Sequence, residues 1–197
     1  LPIREARLRR TGEMVERANV ILTGLGAEPI DLERDIVERS QFAFGGTVTE
    51  RHLLAAMAEK LIGRFGPGQG LVDGLAELGL NLSDKVRAQL ADVENPHLVF
   101  DLLGVMKAEF LGEIYVVPSR TEDGGECPSM AEVIDFAKGI GAIPCYAYLG
   151  DVTASPTGDK KAEKFEDDFL EELFGELRRL GMPAITYMPP RNPAEQM

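Results

Sequence analysis

The first half of the chain repeats apolar residues at helical spacing. Between residues 4 and 24, apolar side chains recur every three or four positions, which places them on one face of a helix. The same spacing recurs in five further stretches: after Asp31, after Glu50, and over residues 71–79, 83–92 and 96–111. Glycine and proline interrupt the pattern between these stretches, most clearly over residues 66–70. We therefore predict a helical region over residues 1–111.

Capping patterns mark where several of these helices begin. The segment Thr-Val-Thr-Glu at 47–50 has the spacing of a capping box, in which Thr47 caps the helix and Glu50 bonds back to it. Ser129 and Glu132 repeat that spacing before another apolar stretch. Asn95 stands before a proline, a combination that predicts a helix start there.

The hydrophobic pattern changes after residue 111. Short apolar runs rich in β-branched or aromatic residues predict three strands, which lie at 114–118, 142–149 and 184–188. Amphipathic stretches between them predict two helices, at 130–139 and 165–180. Helices of this length connect parallel strands through right-handed crossovers, so this half predicts a parallel β-α-β-α-β order.

Together these patterns predict an α/β chain with two domains. Residues 1–111 form the helical region, and residues 112–197 form a three-stranded parallel β-α-β-α-β unit. Three parallel strands leave two edges and one face uncovered, so the unit either packs on the helical region or is an arc of a larger barrel. In both arrangements ligands bind at the carboxyl ends of the strands. Those ends lead into the loops at 119–127, 150–161 and 189–193.

Composition and charge narrow the class of protein. Of its 197 residues, 44% are hydrophobic and 27% charged, so the chain can bury a core. The formal net charge of −12 opposes binding to duplex nucleic acid. The longest apolar run falls short of the ~20 residues that a membrane-spanning helix needs. The first residues lack a secretory apolar core, and Cys127 and Cys145 lack C-x-x-C spacing. We therefore expect a cytoplasmic protein with two reduced thiols and no membrane partner.

The histidine count limits metal chemistry. The chain has only His52 and His97, which argues against a multi-histidine zinc or di-metal site. Carboxylate-bound magnesium or calcium stays open. Glu122, Asp123 and Glu126 crowd one loop and form either a site for a hard cation or a solvated acidic loop.

Other side chains are placed where ligands bind. Arg51 and His52 fall in the first turn of a predicted helix, where anions are favoured, so they either bind phosphate or are a surface arginine beside a half-buried histidine. His52 is also a candidate general acid or base. Asp151 follows a predicted buried strand, and Arg191 and Asn192 follow two prolines at the end of the next strand. We predict His52 and Asp151 as catalytic residues, and Arg51, Arg191 and Asn192 as substrate-binding residues.

Three segments resemble proteins of the PHP (polymerase and histidinol phosphatase) family. They are Gly-Thr-Val-Thr-Glu-Arg-His-Leu-Leu at 46–54, Gly-Ala-Ile-Pro-Cys-Tyr-Ala-Tyr-Leu-Gly-Asp at 141–151 and Tyr-Met-Pro-Pro-Arg-Asn at 187–192. The resemblance implies a distorted (β/α) barrel and a metal-dependent phosphoesterase. Such an enzyme uses divalent Mn, Zn or Fe to activate the water that attacks a small phosphorylated substrate. It also implies that Arg51 and His52 hold the substrate phosphate and that Asp151 and Arg191 line the mouth of the barrel.

The chain also departs from the family pattern. It lacks the His-x-His and Asp-x-His motifs, it has Ala147-Tyr148-Leu149 where Ala-His-Pro would stand, and Asn192 replaces a histidine. We therefore expect an internal segment of a longer phosphoesterase, or a member that has lost metal ligands. Either way, this chain alone should bind no metal and hydrolyse nothing. The alternative is a non-catalytic binding or protein-interaction module. An uncovered sheet predicts a homo-oligomer in both cases.

Overall fold

The computed structural model describes residues 2–148 and 166–186 and is mostly helical. The chain divides into two compact units, Leu1–Cys127 and Pro128–Met197. Residues 112–127, which we predicted to open the β-α-β-α-β unit, belong to the first of these.

The first unit is built from α-helices joined by short turns. Its α-helices are α1 (Pro2–Gly24), α2 (Glu50–Phe65), α3 (Gln69–Glu77), α4 (Asp84–Ala91), α5 (Leu98–Glu109) and α6 (Leu111–Ile114). Shorter turns are a π-helical stretch at Leu32–Val37 and 3₁₀ turns at Phe42–Phe44 and Thr121–Asp123. The helical region predicted from the apolar spacing is confirmed, including the turn that Asp31 caps.

The apolar stripes of these helices meet in one core. The largest side chains buried in it are Met14, Leu22, Ile36, Leu53, Leu54, Met57, Leu61, Leu71, Leu75, Leu90, Leu102 and Met106. Burying an aliphatic side chain of this size contributes about 1.5–3 kcal/mol relative to leaving it in water. Packing between helices is therefore what stabilises this unit, since isolated helices as short as α3 and α4 are marginal in water.

The second unit pairs two short strands in parallel. Its elements are α7 (Met130–Gly139), β1 (Cys145–Ala147), a 3₁₀ turn (Glu166–Phe169), α8 (Leu170–Arg179) and β2 (Ala184–Thr186). Cys145 lies opposite Ala184, and Ala147 lies opposite Thr186. The parallel pairing predicted for the second and third strands is confirmed. The predicted burial of the first of these is wrong, since Cys145 and Ala147 are exposed.

The strand predicted at 114–118 is wrong. Leu111–Ile114 is helical, and the next residues are extended without a strand partner in the described part of the chain. Arginines take the place of a partner: Arg17 donates to the carbonyl oxygen of Tyr115 at 2.8 Å, and Arg10 donates to that of Val116 at 3.1 Å. A β-branched run becomes a strand only where a neighbouring strand supplies hydrogen bonds, because strand propensity depends strongly on context.

The predicted fold class therefore needs correction. The described residues contain two short parallel strands in a mostly helical chain, and neither the three-stranded β-α-β-α-β unit nor a barrel is found among them. No helix of the described segments is both long and apolar enough to cross a bilayer.

Candidate functional site

Arg51 and His52 lie in the first turn of α2, as predicted, but the residue that caps this helix differs from the predicted one. The helix begins at Glu50 with Thr49 as its N-cap, so the capping box uses Thr49 and His52 instead of Thr47 and Glu50. The backbone N–H of Thr49 donates to Nδ1 of His52 at 3.1 Å. Arg51 is exposed and makes no hydrogen bond or ion pair with the described residues.

This contact limits what His52 can do. A ring nitrogen that accepts a hydrogen bond from a backbone N–H carries no proton, so the neutral ring holds its proton on Nε2. The ring borders a small cavity of about 150 Å³, together with Asp35, Arg39 and Glu59. His52 is thus half-buried as a helix cap, and Nε2 is its only ring nitrogen that takes no part in the cap.

His97 is the N-cap residue of α5 and is exposed. Its backbone N–H donates to Oδ1 of Asn95 at 2.9 Å. The amide of Asn95 donates in turn to Asp101 at 2.8 Å. Asn95 therefore organises the turn before α5, three residues before the first residue of the helix, and His97 takes the N-cap position that was predicted for Asn95.

The carboxylates of the acidic loop at 119–127 do not come together at one point. Glu122 is exposed and lies 3.4 Å from Arg120, and Asp123 is exposed. Glu126 is buried, with 7% of its surface exposed. Its carboxylate contacts Nε of Arg7 at 3.1 Å and Nη2 of Arg10 at 2.8 Å.

The described residues therefore do not fit a metal ion. Nowhere in residues 2–148 and 166–186 do three or more His, Cys, Asp or Glu side chains come together as ligands. The one buried carboxylate of the acidic loop, that of Glu126, faces two arginines, which supply the positive charge that a cation would otherwise bring. We derive no catalytic step through a metal from these side chains.

An ion-pair cluster around Arg10 was not predicted. Arg10 is buried, with 9% of its surface exposed, and its Nη2 also contacts Glu50 at 2.7 Å. Burial works to lower the pKa of Arg10, but its hydrogen bonds to Glu50 and Glu126 outweigh burial and raise it. Burial likewise works against the charged form of Glu50. The hydrogen bond from Arg10, a backbone hydrogen bond and the charges of Arg10 and Arg7 together outweigh burial and bring the pKa of Glu50 below its ordinary value.

One sequence signal could have pointed to this cluster. Arg10 falls on the apolar stripe of α1, close to Ala6 and Met14, where a charge must find partners if it is buried. Nothing in the sequence names those partners. Glu126 lies 116 positions away, and only tertiary packing brings it to α1.

A larger cavity of about 480 Å³ lies along α2. Lys60 and Arg64 border it from successive turns, and Asp35 faces them from the π-helical stretch. Lys60 contacts Asp35 at 2.9 Å. Hydrogen bonding from Arg34 outweighs burial and holds the pKa of Asp35 well below its usual range, and Lys60 adds to this effect. The charges of Lys60, Arg34 and Asp35 thus offset one another within the first unit.

In the second unit, Tyr146 of β1 donates a hydrogen bond to Glu166 at the start of the turn before α8. Burial, together with the nearby carboxylate of Glu166, raises the pKa of Tyr146 to about 12. The pair joins the strand to the segment that leads into α8. The predicted residues Asp151, Arg191 and Asn192 lie outside the described residues.

Comparison of the chain with protein-family models, with curated proteins and with solved structures finds no match. The resemblance to PHP proteins remains a prediction from the three sequence segments quoted above.

Proposed function

We propose that this chain is a segment of a phosphoester-hydrolysing protein, to which it contributes a phosphate-binding edge. One observation carries the proposal, namely the parallel pairing of β1 and β2. Because both strands run in the same direction, the chain leaves both of them at the same edge of the sheet. In parallel α/β structures that edge is where ligands bind.

The residues that follow the two strands have the chemistry that a phosphate ester needs. Asp151 comes soon after β1, and Arg191 and Asn192 come soon after β2. A guanidinium and an amide donate hydrogen bonds to phosphate oxygens, and a carboxylate can move a proton. His52 serves α2 as its cap, so the proposal rests on the residues that follow the two strands.

The divalent metal implied by the family resemblance belongs to the complete protein. Its ligands would come from outside the described residues, since these hold no suitable cluster. We therefore expect the isolated chain to bind phosphate without hydrolysing an ester.

The test is phosphate binding by the full 197-residue chain. Inorganic phosphate is titrated into the protein by calorimetry, and p-nitrophenyl phosphate turnover is assayed with Mn²⁺. We expect saturable binding, no turnover, and a loss of about tenfold in affinity in Arg191→Ala, which corresponds to about 1.4 kcal/mol.

Arg178→Ala is the matched control, because it removes the same charge from the exposed last turn of α8. Absence of phosphate binding, or an equal loss in both variants, contradicts the proposed edge. Robust turnover with Mn²⁺ contradicts the claim that the chain is an incomplete enzyme.

One observation favours a second function, that of a non-catalytic interaction module. On α7, Val133 is 46% exposed and Phe136 is 69% exposed, and Ile140, the C-cap residue of the helix, is 65% exposed. These side chains are three and four positions apart and so share one helix face. A contiguous apolar face in water is typical of a protein-binding surface. A second copy of this chain is the partner that we test below.

A further inference from the structure

The carboxylate of Glu126 is held as a bound oxyanion would be. Its Oε2 accepts from Nε of Arg7 at 3.1 Å, and its Oε1 accepts from Nη2 of Arg10 at 2.8 Å. Each oxygen therefore has its own guanidinium. Arg7 and Arg10 are three positions apart on α1, so a single helix face presents both donors.

Arg10 is held in place by contacts other than the one with Glu126. Arg10 is nine-tenths buried, and its Nη1 donates to the carbonyl oxygen of Val116 at 3.1 Å. Its Nη2 also donates to Glu50 on the first turn of α2. Its Nε has no acceptor among the described residues, so the guanidinium has more donors than acceptors. A preorganised guanidinium loses little freedom when it binds an anion.

Glu126, by contrast, comes from a loop. The backbone of this loop forms a 3₁₀ turn at Thr121–Asp123 and a bridge between Arg120 and Cys127, and its contacts with α1 run through arginine side chains. Arg9 donates to the carbonyl oxygen of Gly124 at 2.9 Å. Loops anchored by side chains open more readily than helices do.

A cavity of about 350 Å³ borders this carboxylate. The charged side chains along its wall are Arg9, Arg10, Glu13, Asp123 and Glu126. Glu13 and Asp123 repel a phosphate dianion and limit the site to an anion of low charge. Once Glu126 is removed, the cluster keeps two arginines and Glu50, which leaves one positive charge to be balanced.

We propose that Arg7 and Arg10 form a binding site for a small monocarboxylate, which the chain's own Glu126 occupies as a built-in ligand. Glu126 thereby fastens the loop at 119–127 to α1, and a free carboxylate takes the same two donors when Glu126 is absent. This site is separate from the phosphate edge proposed above, and neither depends on the other.

The experiment removes the Glu126 side chain and supplies a free carboxylate from solution. The full chain carrying Glu126→Ala is melted in sodium acetate and in sodium chloride of equal ionic strength. We expect a lower Tm in chloride, and saturable recovery of at least half of that loss by about 100 mM acetate, because a ligand that binds only the folded state raises Tm. Acetate should leave the Tm of the wild-type chain unchanged, and phosphate should recover less than acetate.

Glu122→Ala is the matched control, because it removes an exposed carboxylate from the same loop. Its Tm should not respond to acetate, and the double variant Arg7→Gln/Glu126→Ala should lose the recovery. Should Glu126→Ala not fold in chloride, its far-ultraviolet circular dichroism in acetate and in chloride is compared instead, and acetate alone should restore the helical signal. Equal stabilisation of wild type and variant by acetate, or no effect of acetate on the variant by either measurement, overturns the proposal.

Discussion

At the scale of single residues, the hydrogen-bond partner of a half-buried polar group in this chain sets its pKa. Tyr146 is a clear case, because its hydroxyl donates to Glu166 and the neutral phenol is favoured by burial and by the neighbouring negative charge. The pKa of Tyr146 is thereby raised from 10.0 to about 12. The folded state then releases the proton less readily than the unfolded state does. The stabilisation is fully present below pH 10 and is lost as the pH rises towards 12.

This shift predicts an alkaline titration with a late component. In an absorbance titration at 295 nm, the component near pH 12 should disappear in Tyr146→Phe. It should move towards pH 10 in Glu166→Gln, because the nearby negative charge is gone. Tyr115→Phe is the control and should leave the late component in place. A late component that survives in Tyr146→Phe would assign the shift to another tyrosine.

At the scale of elements, caps and partners decide where helices and strands begin. The start of α7 follows the predicted box, with the Ser129 N–H donating to Glu132 at 2.7 Å. The start of α2 moves by two residues, because His52 serves as the returning side chain that Glu or Gln usually supplies. Thr47 with Glu50 and Thr49 with His52 fit the same box at two registers, and spacing alone does not choose between them.

The register of α2 predicts distinct effects for two substitutions at His52. His52→Ala leaves the Thr49 N–H without its acceptor and should lower the free energy of unfolding by about 1 kcal/mol. His52→Gln restores an acceptor of the usual type and should stay close to wild type. Urea unfolding of the full chain measures both.

Arg51→Ala is the neighbouring control and should change stability by no more than about 0.5 kcal/mol, because the side chain is exposed. Equal losses in His52→Ala and His52→Gln would show that the ring does not act as a cap.

At the scale of the whole molecule, the two units differ in how much they bury. The first unit encloses a core drawn from its helices, whereas the described part of the second unit buries Ile134, Tyr148 and Leu177. The apolar face of α7 stays exposed. Glu132 lies in the first turn of α7 and Lys138 in the last, so two copies packed antiparallel would bring opposite charges together.

We therefore expect the full chain to self-associate through α7. Sedimentation velocity at about 100 µM protein should show a dimer, which Phe136→Asp converts to a monomer because a buried unpaired carboxylate opposes association. Phe100→Asp is the matched control, since Phe100 is 71% exposed on α5 in the first unit and should leave the dimer intact. A monomeric wild-type chain, or dissociation by both variants, contradicts this interface.

The candidate site was predicted only in part. The position of Arg51 and His52 in the first turn of α2 followed from local spacing, and so did the parallel relation of β1 and β2. The role of His52 as a cap did not follow, because it depends on the register of the helix start. The acidic loop looked like a cation site, yet its buried member faces arginines from a distant helix.

The sequence by itself determined the helices and their apolar faces, because helical periodicity and caps act over a few neighbouring residues. Tertiary structure alone decided whether a β-prone segment became a strand and which carboxylate met Arg10. Both outcomes depend on groups far apart in the chain: the segment after α6 bonds to arginines of α1, and Glu126 reaches Arg10 across 116 positions. Long-range pairs of this kind leave no periodic trace in the sequence, since hydrogen bonds and ion pairs depend on distance in space.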